Sequence, residues 1–212
     1  MDFLPEEITA YCQSFTSAED EVLYNLNRQT QLKILRPRML SGHLQGQFLK
    51  MLSCMIQPEN ILEVGTYTGY SALCMAHGLK ENGTLHTIEI NPELESFVKT
   101  HFSKSVFDKK IILHIGDALE IIPALDISFE MAFIDADKEN YIHYFELIFE
   151  KLKTGGYVIA DNVLWSGKVL DKHTNDKEAI ALQNFNKHIK ERKDIEHLLL
   201  PFRDGLMIIR KM

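Results

Sequence analysis

Two short polar stretches in this 212-residue chain have the residue types and spacing to hold a metal ion. Asp135-Ala136-Asp137-Lys138 follows the apolar run Phe129 to Ile134, and Asp161-Asn162 follows the run Tyr157 to Ala160. Carboxylates at the ends of buried apolar strands are costly unless something positive meets them. A hard divalent cation is the natural partner, because Mg²⁺ and Ca²⁺ prefer oxygen ligands. Asp135, Asp161 and the amide oxygen of Asn162 would supply three such ligands. An octahedral ion would keep positions for substrate oxygens and water, and two adjacent hydroxyls on an aromatic ring would chelate well. The competing structural role for each Asp or Asn is helix N-capping.

A second constellation points to a nucleoside cofactor. Glu63-Val64-Gly65-Thr66-Tyr67-Thr68-Gly69-Tyr70-Ser71 joins a short apolar run to a helical pattern. Gly65 and Gly69 allow a tight turn and close approach of a ligand to backbone N–H groups. The spacing is not GxGxxG, and no GK[ST] follows, so neither a nicotinamide or flavin turn nor a phosphate loop is indicated. Glu89 lies 24 residues past Gly65, where an acid can accept hydrogen bonds from both ribose hydroxyls. Asp117, in Gly116-Asp117-Ala118, suits either an adenine amino group or the N-cap of the next helix.

The elements that must position these residues alternate. Strands are expected at Ile61–Val64, Leu85–Ile90, Ile111–Ile115, Phe129–Ile134 and Tyr157–Ala160, with helices between them. Asn91-Pro92 opens one helix, and Gly155-Gly156 is expected to end the helix that runs through Leu152. A long helix covers about Lys177 to Lys193. Leu198–Leu200 and Leu206–Ile209 flank Asp204-Gly205 and read as a hairpin with an Asp-Gly turn signal, which would make the last strand antiparallel. Upstream, Thr16-x-x-Glu19 has the form of a capping box for a helix running to about Leu35. Another helix spans about His43 to Ile56, before Pro58. This pattern is α/β: a mostly parallel sheet with helices on both faces, preceded by a helical extension. The whole chain, 1–212, reads as one domain, with 1–57 as the extension and 58–212 as the Rossmann-like core. In such sheets ligands bind at the carboxyl ends of the strands, where the residues above fall.

Composition narrows the function classes. The net charge of −7 argues against nucleic acid, which is bound by concentrated Lys and Arg. No apolar run approaches the roughly 20 residues of a membrane span. The start, Met1 to Glu7, is acidic and lacks the basic and apolar regions of a signal peptide. Three scattered cysteines, Cys12, Cys54 and Cys74, suggest reduced thiols in the cytoplasm. A zinc site has no CxxC or HxxxH pair to support it.

Taken together, these segments resemble the cation-dependent class I O-methyltransferases, the group containing the caffeoyl-CoA and catechol O-methyltransferases. The resemblance runs from about Arg38 to the C-terminus. It rests on Gly46-Gln47-Phe48-Leu49, the glycine segment, Phe133-Ile134-Asp135-Ala136-Asp137-Lys138, Asp161-Asn162-Val163-Leu164-Trp165 and Asp204-Gly205-Leu206. The glycine segment alone marks a fold that binds S-adenosylmethionine (SAM). Asp135-x-x-Lys138 together with Asp161-Asn162 is more specific. The resemblance implies a seven-stranded sheet with its last strand antiparallel. It places Glu63, Gly65, Thr66, Ser71 and Ser41 at the methionine end of SAM, Glu89 at the ribose, and Ala118, with Asp117, at the adenine. Asp135 would serve metal and cofactor, Asp137 would lie near the cofactor, and Lys138 would be the base. Catechol enzymes place a glutamate shortly before the Asp-Gly turn, but Leu198 to Arg203 contains no acid. Plant caffeoyl-CoA enzymes carry an Asn shortly after the tryptophan, where this chain has Ser166.

The expected function is therefore methyl transfer from SAM to a hydroxyl of a catechol-type small molecule, assisted by Mg²⁺, or by Ca²⁺ or Mn²⁺. Trp165 and Ser166 would face the acceptor. A homodimer is implied by the resemblance only. The alternatives are a methyltransferase for another acceptor class and a non-catalytic SAM-binding protein.

Overall fold

The computed structural model describes residues 5–212; Met1 to Leu4, part of the acidic start, lie outside them. The chain opens with α1 (Glu6–Ser14), α2 (Glu21–Lys33), a 3-10 turn at Pro37–Met39, and α3 (Gly42–Ile56). Strands and helices then alternate: β1 (Asn60–Val64), α4 (Tyr70–Ala76), β2 (Thr84–Glu89), α5 (Glu95–Phe102), β3 (Ile111–Ile115), α6 (Ala118–Ala124), β4 (Phe129–Ile134), α7 (Tyr141–Lys151) and β5 (Leu152–Ala160). α8 (Lys177–Glu191), β6 (Ile195–Leu200) and β7 (Leu206–Lys211) close the chain. The seven strands form one sheet in the order β3-β2-β1-β4-β5-β7-β6. β7 is antiparallel to both its neighbours, and the other ladders are parallel.

Alternation along the strands builds two cores, one on each face. Leu62, Val64, Ala132, Ile134, Val158 and Ala160 face α6, α7 and α8, packing with Ile122, Phe145 and Phe185. Ile61, Leu85, Phe133 and Ile159 face the other way, against Leu26, Leu49, Leu73 and Val98 of α2, α3, α4 and α5. Leu26 and Leu49 are wholly buried, so α2 and α3 complete a layer of the sheet. No helix among the described residues is long and apolar enough to cross a membrane.

Three local expectations are corrected. Thr16 does not open a helix: its hydroxyl donates to the Cys12 carbonyl, 2.7 Å away, at the end of α1. Asp20 caps α2 instead, its carboxylate accepting from the Leu23 N–H at 2.9 Å, because a charged oxygen is the stronger acceptor for a helix start. α1 lies in the extension read as helical, although the sequence reading did not single it out. Its signals, Pro5 followed by Glu6 and Glu7, precede a segment that buries nothing. Gly155 and Gly156 do not end α7, which stops at Lys151; they lie inside β5, where the register against β4 shifts. Asp204-Gly205 is not a two-residue turn but the end of a connection spanning residues 201–205.

Candidate active site

The sheet register sets the site. Val64 pairs with Ile88 and Ile134, and Ile134 pairs with Ala160, so the residues just past β1, β4 and β5 stand side by side. The ladder continues one step beyond the strands: the Asp135 N–H donates to the Val64 carbonyl and the Asp161 N–H to the Ile134 carbonyl, both at 2.9 Å. Gly65, just past β1, has φ +99°, and a Cβ there would lie 1.9 Å from the Asp135 carbonyl oxygen. Only glycine lets the end of β1 pass this close to the end of β4.

Glu89 closes β2 and is buried. Its oxygens accept the Tyr67 N–H at 2.7 Å and the Asn91 N–H at 2.9 Å. Burial raises its pKa against the opposing effect of those N–H groups. A carboxylate has about four lone-pair sites, so Glu89 can still accept from a ribose hydroxyl. Glu63 lies deeper and is wholly buried. It accepts from the Ser71 and Thr87 hydroxyls, each at 2.5 Å, and burial pushes its carboxyl up to about 8. It thus holds Ser71, at the start of α4, from beneath.

A cavity of about 1170 Å³ runs along this edge. It is lined by Ser41, Gly65, Thr66, Ser71, Glu89 and Ala118. Its lining also includes Asp135, Asp137, Lys138, Asp161 and Asn162, with Trp165 and Ser166. Glu63 and Asp117 do not line it. Asp117 takes the capping role, accepting from the Leu119 N–H at 2.8 Å to start α6. Asp137 is fixed by the Tyr144 hydroxyl, which donates to it at 2.5 Å. A second cleft, between α2 and α5, carries none of the strand-end residues.

The cationic centre of the site is Lys138, which is buried. Its ammonium donates to Asp135 Oδ1 at 3.1 Å, Asn162 Oδ1 at 3.0 Å and the Tyr141 hydroxyl at 2.6 Å. Three N–H groups thus meet three oxygens. Tyr141 in turn donates to the Asp161 carbonyl at 2.9 Å. Asp161 is 2% exposed; burial, and then the charge of Asp135, raise its pKa. Its Oδ2 accepts from Gln45 Nε2 at 2.6 Å and its Oδ1 from the Asn162 N–H at 2.7 Å. Asn162, Trp165 and Ser166 all have left-handed backbones, local strain of the kind that gathers at functional sites. Among the described residues no three His, Cys, Asp or Glu side chains converge; the candidate donor set is two carboxylates and an amide. All are oxygen donors, and two of them already share one cation, the Lys138 ammonium. That donor chemistry fits a hard divalent ion.

Gln45, Tyr141 and Arg203 belong to this site and were absent from the sequence reading. Tyr141 had a signal, since it stands three residues after Lys138 at helical spacing. Gln45 and Arg203 had none, because each meets the site only through a long-range contact.

Known proteins match this arrangement. The O-methyltransferase family profile matches residues 13–212. A catechol O-methyltransferase of Niastella koreensis is 36% identical over 146 residues, covering 67% of this chain and 66% of that one. The caffeoyl-CoA O-methyltransferase of Medicago sativa is 33% identical over 181 residues, covering 79% of this chain and 73% of its own. The chain thus spans about two thirds to three quarters of these relatives' lengths. Among solved structures, an O-methyltransferase of Streptomyces achromogenes involved in tomaymycin synthesis, in complex with SAM, superposes with a TM-score of 0.91 at 27% identity. That match covers 97% of this chain and 96% of the other. By sequence, sheet order and the residues at the strand ends, the chain belongs to the O-methyltransferase family, with relatives of the catechol and caffeoyl-CoA type.

Proposed function

We propose that this enzyme transfers the methyl group of SAM to a hydroxyl of a catechol-type aromatic small molecule, with a divalent cation, Mg²⁺ foremost, held at Asp135, Asp161 and Asn162. The observation that carries this reading is the convergence of Asp135 Oδ1 and Asn162 Oδ1 on one cationic group beside buried Asp161. SAM when bound supplies an electrophilic methyl, and the cation when bound favours the phenolate form of the acceptor.

The chain's own residues supply position and proton handling. Glu89 accepts the ribose hydroxyls, and the Gly65–Gly69 turn lets the cofactor approach backbone N–H groups. Ser41, Thr66 and Ser71 serve the methionine end, with Glu63 holding Ser71 in place. Ala118 meets the adenine while Asp117 anchors its helix, and Asp137 lies along the cofactor. Lys138 is the candidate base: with a divalent cation held beside it, its ammonium would give up a proton to solvent, and the neutral Nζ would then take the phenolic proton. Trp165 and Ser166 wall the acceptor, and the main gain comes from holding oxygen and methyl in line.

The chain is read as a homodimer working in a reducing compartment, the cytoplasm. α1 buries none of its side chains, and Ile8, Tyr11 and Phe15 are exposed. The three cysteines are unpaired.

The test is transfer from labelled SAM to a panel of vicinal diols, with Mg²⁺ and with EDTA. Transfer is expected with metal and lost on chelation, while SAM binding persists. Lys138→Met is expected to lower kcat by about 10²- to 10⁴-fold, the usual share of a general base. SAM binding without transfer to any vicinal diol would move the function to another acceptor class or to non-catalytic SAM binding.

A further inference from the structure

The buried carboxylate of Asp161 is tied to a residue at the far end of the chain through one side-chain amide. Gln45, on α3, is wholly buried. Its Nε2 donates to Asp161 Oδ2 at 2.6 Å, and its Oε1 accepts from Arg203 Nη1 at 2.7 Å. The orientation of this amide has a single solution. A guanidinium only donates, so the amide oxygen must face Arg203; an ionised carboxylate only accepts, so the amide nitrogen must face Asp161. The positive charge is thereby passed to the carboxylate as an oriented hydrogen bond.

Arg203 is itself held. Its Nη1 also donates to the Ser41 carbonyl, and its Nη2 to the Leu40 carbonyl at 3.5 Å. Among the described residues it makes no ion pair with a carboxylate. Its charge is directed at neutral oxygens on α3 and the segment before it. Its backbone is left-handed, φ +50°, a conformation that disfavours a side chain with a Cβ. The turn that carries it is fastened on its other side: the Val163 N–H donates to the Gly205 carbonyl at 3.1 Å and the Leu164 N–H to the Asp204 carbonyl at 2.9 Å. The turn therefore spans from the start of α3 to the segment just after Asp161-Asn162.

We infer that Gln45 and Arg203 are positioning residues that hold the Asp161 carboxylate in its metal-ligating orientation, so that their loss weakens metal binding at Asp135, Asp161 and Asn162. The inference rests on the metal site proposed above. A buried carboxylate with two free torsions must be ordered before it can ligate. Partners just behind metal ligands commonly contribute about ten- to hundred-fold in metal affinity.

The test is Mn²⁺ binding to the full-length protein with S-adenosylhomocysteine present and no acceptor, read by the electron paramagnetic resonance signal of free Mn²⁺. Gln45→Leu keeps the volume and removes both hydrogen bonds; it is expected to weaken Mn²⁺ by about ten- to hundred-fold while S-adenosylhomocysteine affinity changes much less. Arg203→Gly relieves the left-handed backbone and removes the guanidinium. It is expected to weaken Mn²⁺ without lowering the melting temperature, and it carries the test if Gln45→Leu does not fold. Mn²⁺ affinity within twofold of wild type in the folded variants, with Asp161→Ala losing it, overturns the positioning role and leaves the metal site standing. Equal Mn²⁺ affinity in wild type and Asp161→Ala overturns the metal site and the positioning role together.

Discussion

At the scale of single residues, several of the buried polar groups stand at the strand ends. Lys138, Asp161, Glu63 and Glu89 are each buried, and each is met by oriented partners, as an interior of low dielectric demands. One pair outside the site joins buried His86 to half-buried His114. His86 Nδ1 and His114 Nε2 are 3.0 Å apart with stacked rings, so one ring donates and the other accepts, both neutral. Burial, and then the charge of His114, lower the His86 pKa from 6.5 to about 4, and burial also lowers that of His114. A depressed histidine pKa means that the unfolded chain binds protons first as pH falls. Stability is therefore full above about pH 6.5 and declines toward pH 4, by on the order of 2–3 kcal/mol for His86. Urea denaturation at pH 7 and pH 4.5 checks this. His86→Leu should shrink the difference between the two pH values, and an unchanged difference would show that the acid sensitivity lies elsewhere.

Among elements, the joint between α3 and α4 is a close one on which the site depends, because α3 carries Gln45 and α4 follows the cofactor turn. Gly46 makes it possible. A Cβ at Gly46 would lie 2.5 Å from the Tyr70 ring and 2.8 Å from Cys74 Sγ, both on α4. In an exposed helix, Gly→Ala gains about 1 kcal/mol of propensity. Here overpacking costs about 1–3 kcal/mol and the displaced partners are buried, so Gly46→Ala is expected to be destabilising by up to about 2 kcal/mol net. Chemical denaturation decides the sign; a variant more stable than wild type would mean that Tyr70 and Cys74 yield freely.

Over the whole molecule, the −7 net charge sits beside an apolar surface on the N-terminal helices. Tyr11 and Phe15 are 63% and 75% exposed, and Met51 and Met55 on α3 are exposed as well. α1 touches α3 and has no buried side chain of its own. An isolated helix of this length is marginal in water, so a covering surface would stabilise it. Light scattering coupled to size exclusion should give twice the 24.5 kDa chain mass, and Phe15→Glu should shift the protein toward monomer with its core unchanged. A monomeric wild type at micromolar concentration would overturn the dimer.

The strands, the parallel sheet with its antiparallel last strand, and the acids at the strand ends were legible in the sequence because they depend on local pattern. Apolar runs closed by Gly65, Asp135 and Asp161 place each of these one step past a strand, and Glu89 at the end of its own, whatever the packing around them. The candidate ligands Asp135, Asp161 and Asn162 were legible for the same reason. Where two local signals competed, as at Thr16 against Asp20 or Gly155-Gly156 inside β5, the choice turned on hydrogen-bond partners that the chain order does not show. Only the tertiary structure decided that Asp117 caps a helix rather than lining the cavity and that Glu63 stands behind Ser71. It alone placed Tyr141 beneath Lys138 and joined Gln45 and Arg203, 158 positions apart, behind Asp161. The physical reason is that each of these is a contact between side chains brought together by packing, and no periodicity along the chain records which distant partner a buried polar atom will meet.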